Sequence, residues 1–247
     1  MDALKQTLRQ QLPRWALDAY RRVRYGRTWF DFEDRSRQEV FAYIYERGVW
    51  GRGEGAFYSG PGSDPVVTSA YVAAIRRFLA DRGITSVVDL GCGDFRVGAQ
   101  LLIPGLTYHG VDIVPGLVEH NNQVHGASDI RFSCLDATVT DLPDGTLCLV
   151  REVFQHLSND EIQNVLTRCR KFPYVVVTER IAGPARFTTP NVDIVHGPNT
   201  RADIGSGVIL DAPPFRERVT GVLVETPQPD GTILRSVLIE NAAQASS

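Results

Sequence analysis

The 247-residue sequence has little that points to a membrane, a cysteine-based metal site or a redox centre. Its four cysteines, Cys92, Cys134, Cys148 and Cys169, lie far apart without a C-x-x-C spacing, which argues against a zinc knuckle and a thiol redox motif. No apolar run is long enough to span a bilayer, and the N-terminus lacks the apolar core of a signal peptide. We therefore expect a cytoplasmic protein with reduced cysteines.

A basic excess is also missing, since 26 basic residues stand against 29 acidic ones and give a net charge of -3. Neutralising nucleic-acid phosphates takes a clear basic excess on one face, so the balance disfavours a nucleic-acid partner. Residues 1–30 are locally basic, which fits a solvated helix face better than a surface for an anionic partner. Four aromatic residues of that segment suit either a homodimer contact or packing on the core: Trp15, Tyr20, Trp29 and Phe30.

Hydrophobic periodicity predicts helices over residues 1–50, in "MDALKQTLRQQL" and "RSRQEVFAYIYERGVW", followed by a glycine-rich loop, "WGRGEGAFYSGPGSDP". That loop serves either as a linker or as a lid. From about residue 70 short apolar strands alternate with helices, "FRVGAQLLI" among them, which predicts a parallel sheet covered on both faces. "RVTGVLVET" and "TILRSVLIE", joined by "PQPDG", predict a C-terminal antiparallel hairpin. We expect a helical N-terminal extension with a lid loop (1–65) and an α/β domain (66–247).

The stretch "VVDLGCGDFRVG" (87–98) ends an apolar run with Asp89 and continues with Gly91 and Gly93. Two glycines let the chain turn tightly and let a ligand approach the backbone. A dinucleotide site needs a third glycine where this chain has Arg96. A carboxylate beside a pyrophosphate would also repel it, whereas a ligand with an ammonium and a sulfonium group would be attracted. The stretch therefore disfavours a nicotinamide dehydrogenase.

Two more acids follow the next two strands. Asp112 ends "YHGVD", where a carboxylate accepts hydrogen bonds from both ribose hydroxyls of an adenosine. Asp136 follows in "SCLDAT", placed to accept a hydrogen bond from an adenine amino group. Three successive strands thus end in acids at the edge where open α/β sheets bind ligands.

Together "VVDLGCGDFRVG", "YHGVDIV", "RFSCLDAT" and "LCLVREVFQHLS" resemble the successive motifs of class I S-adenosylmethionine-dependent methyltransferases, over about residues 66–180. The resemblance implies a Rossmann-like, mostly parallel seven-stranded sheet, with S-adenosylmethionine as cofactor and S-adenosylhomocysteine as product. The cofactor-binding residues that it implies are Asp89, Gly91, Cys92 and Gly93 around the methionine part, Asp112 and Ile113 at the ribose, Asp136 and Ala137 at the adenine, Ser63 at the carboxylate, and the backbone carbonyl of Arg151 at the amino group.

A narrower resemblance lies in "YSGPGSDP" and "DIVHGPN", which look like a subgroup of small-molecule methyltransferases, mycobacterial sugar O-methyltransferases of methylmannose polysaccharide biosynthesis. It implies a small-molecule or saccharide acceptor. In the glycine-rich loop we expect Tyr58 to close over cofactor and substrate, and Ser59 and Ser63 to offer hydroxyls to the methionine carboxylate, the alternative being a disordered linker. After the fourth strand the chain has "REVF" and lacks an Asn/Asp-Pro-Pro-aromatic motif. This absence counts against methylation of base amino groups and favours O-methylation.

Methyl transfer to a hydroxyl needs in-line geometry and a group that removes the proton. His156, just past the fourth strand, is the candidate general base, the alternative being a histidine that caps the next helix. Glu152 is a second candidate base or a partner that orients the substrate hydroxyl, the alternative being a salt-bridged surface acid. We place His196 and Asp193 near the acceptor pocket.

No residues have metal-ligand spacing, but a carboxylate-bound magnesium ion would leave little trace in a sequence, so magnesium stays open. Two alternatives to a small-molecule enzyme also stay open. One is a non-catalytic nucleotide-binding domain of the same fold, because a sequence shows a pocket and not turnover. The other is a nucleic-acid methyltransferase.

Overall fold

The computed structural model describes residues 32, 35–53 and 55–241. The chain divides into two compact units, Met1–Ser36 and Arg37–Ser247. The helix predicted in "MDALKQTLRQQL" and the four N-terminal aromatic residues lie outside the described residues. The predicted boundary between residues 65 and 66 stays a prediction, and the unit that contains the sheet begins at Arg37.

A seven-stranded sheet forms the centre of the second unit. Its strands are β1 (Ser86–Leu90), β2 (Thr107–Asp112), β3 (Ile130–Cys134), β4 (Leu147–Arg151), β5 (Tyr174–Ile181), β6 (Gly221–Pro227) and β7 (Ile233–Glu240). Their spatial order is β3-β2-β1-β4-β5-β7-β6. β7 pairs antiparallel with β5 and β6, while the other neighbours pair in parallel. The predicted Rossmann-like class I fold with a C-terminal hairpin is confirmed.

In the described part of the chain, four α-helices accompany the sheet: α1 (Arg37–Arg47), α2 (Pro65–Arg82), α3 (Pro115–His125) and α4 (Asn159–Cys169). The pattern Ser158-x-x-Glu161 predicts a capping box at the start of α4. It forms, because the Glu161 N–H donates to Ser158 Oγ at 3.3 Å and the Ser158 N–H donates to Glu161 Oε2 at 2.8 Å. These two bonds satisfy N–H groups that have no partner within the helix.

The prediction of an α-helix in "FRVGAQLLI" is wrong, because this stretch forms only a four-residue 3₁₀-helix, Gly98–Leu101. Phe95 adopts a φ of 63°, a left-handed conformation that an α-helix does not contain. Gly98 lies so close to the hydroxyl of Tyr108 that a Cβ atom at this position would collide with it. The turn after β1 therefore leads into compact irregular backbone and offers no α-helix N-terminus to a ligand.

Both faces of the sheet are buried, as the apolar strands predict. On one face Val88 and Val150 pack in a cluster with Ile162 of α4. On the other face Val87 packs in a cluster with Ile75 of α2. Since the strands are covered on both sides, the carboxyl ends of β1 to β4 are the edge left for a ligand.

Candidate active site

The carboxyl ends of β1, β2 and β4, with the residues that follow β3, line one cavity of about 530 Å³. This volume lies in the usual range for small-molecule sites. All of the predicted cofactor-binding residues line it: Ser63, Asp89, Gly91, Cys92, Gly93, Asp112, Ile113, Asp136, Ala137 and Arg151. The structure thus brings together residues that the sequence separates by up to 88 positions, from 63 to 151.

The two glycines after β1 both occupy conformations that favour glycine, with φ of 70° at Gly91 and 55° at Gly93. A Cβ atom at Gly91 would collide with the side chain of Val153, and one at Gly93 would collide with Ser59 Oγ. Asn121 Nδ2 donates to the Gly93 carbonyl at 2.8 Å. The turn is therefore held on both sides, and neither glycine position has room for a side chain.

Asp112 and Asp89 lie buried in the floor of the cavity. Asp112 Oδ2 accepts the Gly93 N–H and Oδ1 accepts the Val114 N–H, each at 3.1 Å. Asp89 Oδ2 accepts the Tyr108 hydroxyl. Burial raises the pKa of both carboxyl groups to about 6. Each oxygen of a carboxylate accepts two hydrogen bonds, so both groups keep capacity for a ligand once they are ionised.

Asp136 differs, because its carboxylate is already engaged on both oxygens. Oδ2 accepts Arg37 Nε at 2.9 Å and pairs with Arg37 Nη2 at 2.8 Å. Oδ1 accepts the backbone N–H and the hydroxyl of Thr138 at 2.9 and 2.8 Å. Burial disfavours the charged form, but the bonds from Arg37 and Thr138 hold the pKa of Asp136 below its ordinary value. The predicted hydrogen bond from an adenine amino group to Asp136 therefore forms only if Arg37 or Thr138 gives up its bond to one of the carboxylate oxygens.

Arg37, which the sequence reasoning missed, also binds the capping-box acid of α4. Its Nη1 donates to Glu161 Oε1 at 2.9 Å, and His196 Nδ1 lies 2.8 Å from the same oxygen. Although burial opposes it, the bonds from His196, Ser158 and Arg37 lower the pKa of Glu161 to about 2.

His196 and Asp193 do not line the cavity, so their predicted place in the acceptor pocket is wrong. His196 is paired with Glu161, and Asp193 Oδ1 accepts the Asn159 N–H at 2.8 Å. The same segment instead contributes Pro198 and Thr200 to the cavity wall.

The glycine-rich loop forms one wall of the cavity through residues 59–63. The Ser59 N–H donates to Asp94 Oδ2 at 2.9 Å, and the Asp94 N–H donates back to Ser59 Oγ at 2.8 Å. This reciprocal pair fixes the loop to the turn after β1. The loop is thus part of the site rather than a linker.

Tyr58 does not line the cavity, so its predicted position over cofactor and substrate needs correction. Its ring packs against Gly51 and Gly53 and lies under the Arg96 guanidinium at 4.8 Å. This cation–π contact holds the ring on the outer side of the loop. The aromatic wall of the cavity comes from Trp50 and its neighbours Phe41 and Tyr45, which sequence reasoning did not single out.

His156 lines the cavity at the end of a 3₁₀-helix, Phe154–His156. Its Nδ1 lies 3.1 Å from the Gly197 carbonyl and 3.3 Å from the Asn199 carbonyl. Two carbonyl neighbours favour a proton on Nδ1, which leaves Nε2 as the basic nitrogen. Burial lowers the pKa of His156, so the ring is neutral near pH 7. A neutral imidazole with a fixed tautomer suits a general base.

The backbone that carries His156 is held by Glu179 of β5, another residue without a sequence signal. The buried Glu179 carboxylate accepts the N–H groups of Val153, Phe154 and Gln155 at 3.1, 2.8 and 2.9 Å. Burial raises the pKa of Glu179 to about 8, and the three N–H groups act in the opposite direction. These contacts set the entry into the 3₁₀-helix.

Arg201 holds the same segment from the other side. Its side chain is fully buried and donates to the Phe154 carbonyl at 2.7 Å, the Val192 carbonyl at 3.0 Å and Asn159 Oδ1 at 2.9 Å. Since Gly197 and Asn199 lie between Val192 and Arg201, this arginine anchors the loop that orients His156.

Glu152 lines the cavity with both carboxylate oxygens in ion pairs. Oε2 lies 3.0 Å from Arg151 Nη2 and Oε1 lies 3.2 Å from Arg180 Nε, with only 11% of the side chain exposed. Glu152 therefore forms salt bridges, as in the alternative of a salt-bridged acid, but it lies in the cavity wall rather than at the surface. Its contacts make it a partner that orients two arginines, and His156 is the better-placed base.

Over residues 32, 35–53 and 55–241, no group of histidine, cysteine or acidic residues is arranged to hold a metal ion. Magnesium stays open. None of the helices in this part of the chain is both long enough and apolar enough to cross a membrane.

Residues 87–172, which run from the second residue of β1 to just past α4, match a family model described as a methyltransferase domain. No curated protein matches the chain by sequence. The methyltransferase resemblance of the sequence is thus supported by the family match, while the narrower resemblance to mycobacterial sugar O-methyltransferases finds no support.

Solved structures share the fold, methyltransferases among them. Human N-acetylserotonin methyltransferase, in complex with S-adenosylmethionine, has a TM-score of 0.51 at 15% identity. The match covers 85% of this chain and 61% of the length of that enzyme. Magnesium protoporphyrin IX methyltransferase from Synechocystis PCC 6803, with bound S-adenosylmethionine, has a TM-score of 0.54 at 15% identity over 84% of this chain and 98% of that one. The N-terminal domain of EvdMO1 was crystallised in the presence of S-adenosylhomocysteine and D-fucose. It has a TM-score of 0.51 at 15% identity, and the match covers 84% of this chain and 100% of that domain. The class I fold is therefore shown by comparison as well as by topology.

Proposed function

We propose that this chain is an S-adenosylmethionine-dependent methyltransferase that methylates a hydroxyl group of a small molecule, with His156 as general base. The observation that carries the proposal is one cavity lined both by the three strand-end acids and by His156. The family match to a methyltransferase domain supports methyl transfer as the reaction.

The cofactor fits most of the residues at the floor of this cavity. Buried Asp89 and Asp112 suit a ligand with an ammonium group and two ribose hydroxyls. Gly91 and Gly93 line the cavity and expose backbone without a side chain. Asp136 fits less directly, because Arg37 and Thr138 already engage both of its oxygens. The structures of two neighbours of the same fold hold S-adenosylmethionine, which supports the same cofactor here.

When bound, the cofactor supplies a methyl group whose bond to sulfur breaks as its bond to the acceptor oxygen forms, which turns the sulfonium into the thioether of S-adenosylhomocysteine. His156 Nε2, which lies 3.3 Å from the Gln155 amide nitrogen, exchanges this contact for the acceptor hydroxyl and takes its proton. The carbonyls of Gly197 and Asn199 stabilise the imidazolium through Nδ1.

A saccharide is our narrower proposal for the acceptor. It rests on the resemblance of "YSGPGSDP" to sugar O-methyltransferases and on the D-fucose present with the EvdMO1 domain. The charge balance and the "REVF" sequence support a small molecule over a nucleic acid. Cytoplasmic location and a homodimer stay predictions.

The test measures formation of S-adenosylhomocysteine with a panel of hydroxylated acceptors, for the wild type, His156→Ala and, as a matched control, His120→Ala, which does not line the cavity. We expect His156→Ala to lower turnover by roughly 100-fold or more, the usual effect of losing a general base, without changing cofactor affinity. Full turnover by this variant would overturn the assignment of the base. Cofactor binding without product from any acceptor would favour the non-catalytic nucleotide-binding alternative.

A further inference from the structure

The carboxylate of Asp136, at the predicted adenine end of the cavity, is saturated by contacts within the protein. Oδ2 lies 2.9 and 2.8 Å from two nitrogens of the Arg37 guanidinium, and Oδ1 accepts two hydrogen bonds from Thr138 at 2.9 and 2.8 Å. A carboxylate offers about four lone-pair sites, so all of them are occupied. Asp89, in contrast, accepts a single hydroxyl group.

The Arg37 guanidinium binds a second acid at the same time. Its Nη1 donates to Glu161 Oε1 at 2.9 Å, while Nε and Nη2 contact Asp136. No more than 24% of any of these three side chains is exposed. Moving Arg37 away from Asp136 would leave a largely buried carboxylate without its positive partner, which costs more than the loss of a neutral hydrogen bond.

Arg37 also belongs to a helix face that forms part of the cavity wall. Arg37, Phe41 and Tyr45 follow one another at four-residue spacing, so they share one face of α1, and all three line the cavity. The Tyr45 hydroxyl lies 2.9 Å from Ser59 Oγ. α1 is thus held near its start by the two acids that bind Arg37 and near its end by the glycine-rich loop.

Resting on the proposed function, we propose that Asp136 does not bind the adenine amino group, and that Asp136 and Glu161 instead hold Arg37 so that α1 closes the adenine end of the cofactor site. Arg37 is then a positioning residue. On either side of Asp136 in the chain the cavity wall is apolar, through Leu135 and Ala137. Apolar walls discriminate only weakly between ligands that differ in one polar group. The site therefore accepts a cofactor without the amino group of adenine.

The test compares S-adenosylhomocysteine with its 6-deamino analogue, which has purine in place of adenine, by isothermal titration. The wild type should bind the analogue at least as tightly, because the amino group finds no free acceptor at Asp136. Arg37→Met frees Asp136 Oδ2, so this variant should prefer S-adenosylhomocysteine by about 10- to 100-fold, the usual contribution of a hydrogen bond to a charged group. Arg47→Met, which changes an exposed arginine at the other end of α1, is the matched control and should bind both ligands like the wild type.

The positioning role of Arg37 is measured separately, by amide hydrogen exchange of α1 in the protein saturated with the 6-deamino analogue. Exchange should be faster by about 10-fold or more in Arg37→Met, since the helix loses its contacts with both acids. Arg37→Lys should restore part of the protection, because lysine keeps the charge but not the two-pronged contact with Asp136. Arg47→Met should exchange at the rate of the wild type.

A wild type that binds S-adenosylhomocysteine about 10-fold or more tightly than the 6-deamino analogue would overturn the inference, because the amino group would then have an acceptor. An Arg37→Met variant without a preference between the two ligands, or with unchanged exchange of α1, would overturn it as well. In each of these cases S-adenosylhomocysteine still binds, so the proposed function stands. If the folded wild type binds neither ligand, the proposed function fails and the inference fails with it.

Discussion

Replacing Arg201 with Met removes three hydrogen bonds from a fully buried guanidinium while keeping most of the side-chain volume. Phe154, Val192 and Asn159 each lose a donor at 2.7 to 3.0 Å. Leaving three buried neutral acceptors unpaired costs about 1–3 kcal/mol each, and the desolvation penalty of the removed guanidinium offsets part of this, which leaves about 3–5 kcal/mol. Because native domains have about 5–15 kcal/mol of stability, the variant is expected to fold. Since each kcal/mol of lost stability lowers Tm by about 2–4 °C in a domain of this size, the Tm of the variant should fall by about 6–20 °C.

The assay is urea denaturation followed by tryptophan fluorescence, with turnover and S-adenosylhomocysteine affinity measured in parallel. Arg186→Met is the matched control, because Arg186 is exposed and makes one bond to the Asp203 carbonyl at 3.2 Å, so its loss should cost about 0.5 kcal/mol or less. In Arg201→Met the loop that holds His156 Nδ1 loosens, and turnover should fall more than cofactor affinity. A loss of stability below about 1 kcal/mol would refute the reasoning that Arg201 anchors this segment.

Two other predictions concern the cofactor end of the cavity. Affinity for S-adenosylhomocysteine should be full above about pH 7 and should fall as the pH drops through 6, because Asp89 and Asp112, each with a pKa of about 6, lose the negative charge that attracts the ligand's ammonium group and strengthens its hydrogen bonds. Isothermal titration from pH 5 to 8 measures this, and a flat profile would contradict it. Gly91→Ala should lose more stability and affinity than Gly105→Ala, since both have left-handed backbone but only the first would also collide with Val153. Equal melting temperatures and affinities of the two variants would show that the collision is relieved at no cost.

The strands and the acids that follow them were predictable because both depend on short sequence patterns. Apolar runs with a fixed period give the strands, and the carboxyl ends of parallel strands meet at one edge, so Asp89, Asp112 and Asp136 had to lie near one another. The Ser158 capping box follows equally from a four-residue pattern.

What could not be predicted depends on contacts between distant segments. Arg37 reaches Asp136 across 99 positions, and Arg201 reaches Phe154 across 47, with no periodicity to mark either pair. The Tyr58 ring faces Arg96 instead of the cavity because its loop is fixed elsewhere, at the neighbouring serine.

The most direct test of the account is isothermal titration of S-adenosylhomocysteine into the wild type and into Asp112→Asn. Asparagine is preferable to alanine, because its one carbonyl oxygen still accepts one of the two backbone N–H groups, of Gly93 and Val114, that Asp112 binds. We predict micromolar binding by the wild type and affinity lower by at least about 10-fold in the variant, since a hydrogen bond to a charged group contributes about 1.5–3 kcal/mol. No binding by the folded wild-type protein, or equal binding by both, would contradict the cofactor assignment.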